Sequence, residues 1–145
     1  RTPDPSDIYI QDEDSILRSA QNLVQAFRDA APQAALAVWL TQPINASQGA
    51  YSYAYRDVAD FRSITRSTVA ERQHQFAARL AECFGGREQE RIYVIPMSAT
   101  VDPVEDYPDN NVVHPSPAGY VRIGDSVYAW MKWWLAQQAE SAAAK

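Results

Sequence analysis

A parallel β-sheet with α-helices packed on it is the fold class this sequence predicts, and three observations carry the prediction. Apolar residues recur at helical spacing in three segments, two short apolar runs without alternation lie between them, and a long polar loop follows each run. Helix, strand, helix, strand, helix in chain order argues for parallel strands, because parallel neighbours need a helical crossover. At 145 residues, 46% of them hydrophobic and with four Trp, eight Tyr and four Phe, the chain is expected to form a single α/β domain over residues 1–145 with a packed core.

The elements follow in order. Residues 1–12, with Pro3, Pro5 and little apolar periodicity, read as an extended lead-in. From Asp14 the stripe Ile16, Leu17, Ala20, Leu23, Val24, Phe27, Ala30, Ala31 predicts a helix, capped by Asp12 or Asp14 and ended by Pro32. Residues 35–40 are too short for a helix and apolar throughout, as in a strand covered on both faces. Residues 41–63 show no sustained helical period, and a connector that long is expected to be functional. Within it Tyr51, Tyr53 and Tyr55 alternate with Ser52 and Ala54, so a short extended piece would put three phenol rings on one side, either as a lid on the core or as a ligand-stacking surface.

Helical spacing resumes at Val69, Arg72, Gln73, Phe76, Leu80, Cys83 and Phe84 and closes at Gly85 and Gly86, where a left-handed cap is easiest for glycine. Residues 91–97 form the second strand, and 98–116 a polar loop carrying four acids and His114. Ser116 can cap the last helix with Pro117 in its first turn, burying Tyr120, Ile123, Val127, Trp130, Met131, Trp134 and Leu135. Two adjacent parallel strands, 36–40 and 92–95, are therefore expected inside a three-layer α/β arrangement.

Charge and composition exclude several classes of function. Thirteen Lys and Arg against 18 Asp and Glu give a net charge of −5, which repels phosphate backbones, so no nucleic-acid partner is expected. One cysteine cannot make an intramolecular disulfide, and with two histidines it cannot supply a structural zinc site; no metal and no cofactor are expected. No apolar run approaches the ~20 residues of a membrane span. Arg1 in place of Met, with no apolar leader behind it, reads as a cut or processed start.

In open parallel sheets the site lies beyond the carboxyl ends of the strands, and both long loops leave from that edge. His114 stands in the second loop just ahead of a helix start, where its ring would project over the edge. Its context, "NNVVHPSPAGYVRIGDSVYAWM" from Asn110 to Met131, resembles the last block of the SGNH hydrolases, the GDSL esterase and lipase family. His114, Pro115, Gly119 and Tyr120 fall on the family's His-Pro and Gly-Tyr pattern. The stretch "SILRSAQNLVQAFRDAAPQAALAVWLTQPINA" is similar to the helix and strand after the family's third block, so the likeness covers nearly the whole chain.

What the resemblance implies is a flavodoxin-like, three-layer parallel sheet flanked by helices, present as its C-terminal portion only. His114 would be the general base that activates a serine on the first strand, since a serine hydroxyl is a poor nucleophile at neutral pH. The family sets an Asp three residues before that histidine; Asn111 stands there, and its amide oxygen can accept a ring N–H but offers no charge to an imidazolium. Asp109 is the nearest acid by sequence, and Asp102 or Asp106 could fold back. The Gly-Asp-Ser nucleophile block, the oxyanion-hole glycine and the oxyanion-hole asparagine are all absent from this chain. The literal Gly124-Asp125-Ser126 lies within a helix, with Ser126 on the face away from the apolar stripe and no strand-to-turn before it, so it does not serve. Asn45 reads as a turn residue, His74 as a solvated helix residue and Cys83 as core packing.

The sequence thus points to the C-terminal part of a serine ester hydrolase acting on a carbohydrate O-acyl group or another small ester. Its partner would be the N-terminal half of the same domain or a cleaved companion chain. The rival is a non-catalytic binding or structural module that keeps the hydrolase fold, such as a surface or virion component. A secreted or virion-associated location fits either.

Overall fold

The computed structural model describes residues 13–57 and 65–143; the lead-in expected over 1–12, its cap at Asp12 and the stretch 58–63 of the first long loop lie outside the described residues. Helix α1 runs Glu13–Ala30, with Glu13 and Asp14 in its first turn and Arg28 in its last, charges that complement the helix dipole. Pro32 blocks a further turn, and Arg28 donates to the carbonyls of Pro32 and Ala34 at 2.7 and 2.8 Å, binding the chain reversal to the helix end. Strands β1 (Leu36–Trp39) and β2 (Ile92–Ile95) pair in parallel with Leu36 opposite Ile92.

Between the strands come α2 (Gln48–Ala54) and α3 (Arg66–Phe84), and α4 (Pro117–Ala143) follows β2. Single-turn 3₁₀ helices at Glu88–Glu90 and Met97–Ala99 flank β2. Each longer element after the first strand starts on a hydroxyl cap: Ser47 Oγ accepts Ala50 N at 3.1 Å, Thr65 Oγ1 accepts Thr68 N at 3.2 Å, and Ser116 Oγ accepts Gly119 N at 3.2 Å.

Side chains alternate across the sheet, and the two faces have different covers. Leu36, Val38, Ile92 and Val94, joined by Leu40, pack against Leu17, Ala20 and Val24 of α1 and Phe76, Ala77, Leu80 and Phe84 of α3. Ala37 and Ile95 pack on the other side against Met97, Val101, Tyr107 and the α4 residues Ile123 and Trp130. Tyr93 extends that contact by meeting Trp130 and Trp133 edge-on, with ring centroids 5.7 and 5.8 Å apart. Cys83 sits with the first cluster, half-buried, as its place in the apolar stripe predicts.

Four expectations need correction. The first long loop contains helix α2, so Tyr51, Tyr53 and Tyr55 do not line up: at 100° per residue Tyr51 and Tyr55 share a face, their rings 5.0 Å apart, while Tyr53 points out beneath the Arg56 guanidinium. Tyr51 is buried with Ile44, Ala50 and Val112, which turns the Tyr-x-Tyr-x-Tyr alternation into a single packing anchor. On α4 only part of the expected stripe is covered; Ile123, Val127, Trp130 and Trp134 are half-buried, whereas Tyr120, Met131 and Leu135 are exposed because two strands are too narrow to cover a 27-residue helix.

At the end of α3 the left-handed residue is Gly86 (φ 72°), and Gly85 is extended. Gly85 is required for a different reason, since a Cβ there would lie 2.5 Å from Ala81 O. Finally, β2 starts at Ile92. Arg91 is itself left-handed (φ 60°) and donates through Nη1 to Gln33 O at 2.6 Å, which ties the two strand entrances together.

Candidate functional site

Beyond the carboxyl ends of β1 and β2 two loops are braided by hydrogen bonds. Leu40 N reaches Ile95 O at 3.0 Å, extending the strand pairing by one residue, and then the chains exchange partners loop to loop. Gln42 Nε2 donates to Val113 O at 2.6 Å, Tyr107 Oη donates to Pro43 O, and Ala46 N donates to Pro103 O at 2.7 Å. Asn45 is the centre of the braid. It is 3% exposed; its Nδ2 donates to Pro108 O and Asn111 O, each at 2.9 Å, its Oδ1 accepts Ser47 N at 2.8 Å, and its backbone N donates to Val112 O at 2.9 Å.

His114 comes directly after this braid and two residues before the cap of α4. Gln42, three residues past β1, bonds the residue preceding it, so His114 belongs to the carboxyl edge of the sheet. The side chain is exposed, and its ring has no hydrogen-bond partner among the described residues. What holds it is the backbone: Asn111 Oδ1 accepts His114 N at 2.9 Å and Val113 N at 3.0 Å. Asn111 therefore positions the loop that carries the histidine: its oxygen accepts from two backbone amides and makes no hydrogen bond to the imidazole, in place of the ring-orienting bond expected of it.

Asp102, Asp106 and Asp109, three of the four acids of this loop, divide cleanly. Asp102 Oδ1 accepts Val104 N at 2.8 Å and Glu105 N at 3.2 Å, and these backbone bonds hold its carboxyl below the ordinary carboxylate range. Asp106 is 1% exposed; its Oδ2 accepts Asp102 N at 2.7 Å, and Arg122 Nε of α4 lies 3.2 Å from Oδ1 as an ion contact without hydrogen-bond alignment. Both are engaged in folding the loop. Asp109 is exposed and has no bonded partner among the described residues, so it alone of the three is available to another group.

The first turn of α4 is fitted to this loop. Ser116 N donates to Asp106 O at 2.6 Å, and Gly119 packs so closely that a Cβ would lie 2.6 Å from Asp106 O and 2.8 Å from Pro115 Cβ. That contact supplies a physical reason for glycine five residues after His114. Ser126 is confirmed as an interior helix residue: its hydroxyl donates back to Arg122 O and Ile123 O at 3.3 and 3.1 Å. Asn45, read as a turn residue, does make its own turn through Ser47 N. Its larger role, joining residues 63 and 66 positions away, had no local signal in the sequence.

Tyr107 makes a testable link between the braid and stability. Burial first, and the neighbouring Asp106 carboxylate second, push its phenol from 10.0 up to about 12. A folded-state value above the unfolded one stabilises the fold fully below pH 10 and is lost as pH rises from 10 towards 12. The melting temperature is therefore expected to fall over that interval, and Tyr107→Phe should flatten the fall while costing about 1 kcal/mol at neutral pH for the bond to Pro43. An equally steep alkaline fall in the variant would assign it to other groups.

Comparison with protein-family models, with curated proteins and with solved structures finds no match. Among the described residues no group of three His, Cys, Asp or Glu side chains is placed to hold a metal ion, and no helix is long and apolar enough to cross a membrane.

Proposed function

We propose that this chain is the C-terminal part of an SGNH-type serine ester hydrolase acting on a carbohydrate O-acyl group or another small ester, with His114 as its general base. The observation that carries the reading is the placement of His114: an exposed ring on a braced loop at the carboxyl edge of two parallel strands, one helix start away from the sheet. An imidazole there can take the proton of an incoming serine hydroxyl and return it to the leaving alcohol. Asp109 is the available acid for its other nitrogen.

The nucleophile has to come from a further α/β segment, and the surface supports such a partner. Leu36 N donates to Arg91 O just before β2 and Leu40 N to Ile95 O at its end, so by the parallel alternation the amides of Ala37 and Trp39 point away from β2, along an outer edge. Trp39 is 42% exposed beside that edge, and α1 carries a second apolar stripe, Ile16, Leu23 and Phe27, that is exposed while Leu17, Ala20 and Val24 are in the core. Two four-residue parallel strands are fewer than an independent sheet needs. A companion that continues the sheet from β1 would cover edge and stripe together and bring a serine to the same carboxyl end.

Hydrolysis of p-nitrophenyl acetate tests the reading. The chain alone should not exceed a His114→Ala control, because a base without its nucleophile forms no acyl-enzyme. The polypeptide extended upstream through a strand ending in Gly-Asp-Ser should hydrolyse the ester, and His114→Ala in it should lower kcat by about 10²-fold or more. Its melting temperature should not change, since the ring makes no bond in the fold. An upstream segment without that serine, or an extended protein indifferent to His114, would overturn the assignment in favour of a non-catalytic module. The direction of Asn111 Oδ1 towards backbone amides is the observation that favours this second reading.

A further inference from the structure

A cleft of about 250 Å³ opens at the same edge, between the loop after β1 and one face of α3. Its polar lining is Thr41, Gln42, Arg66, Gln73, His74 and Ser98, and among the described residues no Asp or Glu lines it although the chain is acidic. Arg66, Gln73 and His74 come together because positions 66, 70, 73, 74 and 77 lie on one face of α3. Arg66 is half-buried and has no ion-pair partner among the described residues, and it sits at the first residue of a 19-residue helix, where the dipole adds to its charge. Gln73 Oε1 is buried with no donor. Ile44, Ala70 and Ala77 give the cleft an apolar floor.

These groups specify a ligand by what each lacks. A guanidinium without a partner takes a carboxylate through two parallel bonds, and an orphaned amide oxygen needs a donor, which a hydroxyl supplies and a bare anion does not. Hydroxyls and an amide around an apolar floor suit a ring with polar edges and a C–H face. The volume, at the small end for ligand sites, holds one ring and excludes a longer saccharide. Gln42 lines the cleft and also bonds Val113, the residue before His114, so the cleft and the candidate base share a wall.

We propose that this cleft binds one acidic sugar residue, with Arg66 on its carboxylate and the Gln73 side chain turning so that its buried Oε1 accepts from a ring hydroxyl, as the subsite that seats the carbohydrate of an ester substrate beside His114. The substrate role rests on the esterase reading; the binding site does not. Amide chemical shifts of the full chain titrated with sodium glucuronate, with glucose and with inorganic phosphate separate the possibilities.

Glucuronate is expected to give saturable shifts at Arg66, Ala70, Gln73, His74 and Ala77, at least about 10-fold tighter than glucose or phosphate. Arg66→Gln should remove that preference over glucose. Gln73→Leu should weaken binding while raising the melting temperature, since it deletes an unsatisfied buried oxygen; a purely structural glutamine would not show this opposition. No shift at these amides, phosphate binding as tightly as glucuronate, or Arg66→Gln binding unchanged would each overturn the proposal. Because the readout is binding, its failure leaves the His114 assignment standing, and failure of hydrolysis leaves the site standing.

Discussion

Asn45→Asp is expected to destabilise the chain by on the order of 3–5 kcal/mol, more than Asn45→Ala at about 3 kcal/mol. The amide nitrogen of Asn45 faces two carbonyls, Pro108 O and Asn111 O, in a site only 3% open to solvent. Alanine leaves those carbonyls and Ser47 N unpaired, at about 1–3 kcal/mol for each group that water does not reach. Aspartate keeps the size and the bond to Ser47 N but turns a donor into a charged oxygen against two carbonyl oxygens. Urea unfolding of both variants measures the difference, and amide exchange at Val113 and His114 should quicken with it. Equal losses in the two variants would mean that the direction of the amide does not matter.

Gly119→Ala is expected to destabilise by about 3 kcal/mol, against the sign that helix propensity alone gives. Within a helix, alanine is favoured over glycine by about 1 kcal/mol. At Gly119 a Cβ would meet Asp106 O at 2.6 Å, Pro115 Cβ at 2.8 Å and Asp106 Cβ at 2.9 Å, all in short, bonded loop segments with little room to retreat. Overpacking therefore outweighs propensity. Gly124, one turn and a residue further along the same helix, has nothing within 4 Å of an added Cβ, so Gly124→Ala should stabilise by about 1 kcal/mol. Thermal melts of the pair test both signs at once. A stabilised Gly119→Ala would show that the first turn of α4 can separate from the Asp106 loop without penalty.

How much of this could be read beforehand depended on the range over which each feature is determined. The helices α1, α3 and α4 and both strands were legible because apolar period, hydroxyl caps, Pro32 and the Gly85-Gly86 stop act within a few residues. Helix α2 was not, because Tyr-Ser-Tyr-Ala-Tyr satisfies a period of two as well as an i, i+4 pair. The choice is made by Tyr51 packing on Ile44 and Val112, the latter 61 positions away in the chain. His114 was legible through its own neighbours, and the direction of Asn111 Oδ1 was not, because it depends on how the loop closes.

The sequence by itself determined the order of the three long helices and the two apolar strands, and the histidine ahead of a capped helix, since each rests on interactions between near neighbours in the chain. The tertiary structure alone decided that Arg122 lies against Asp106, that Asn45 holds the histidine loop, that Gly119 has no room for a methyl group, and that Arg66, Gln73 and Gln42 line one cleft. Those outcomes depend on groups 13 to 66 residues apart meeting after the sheet has formed, and no local pattern encodes a partner at that distance.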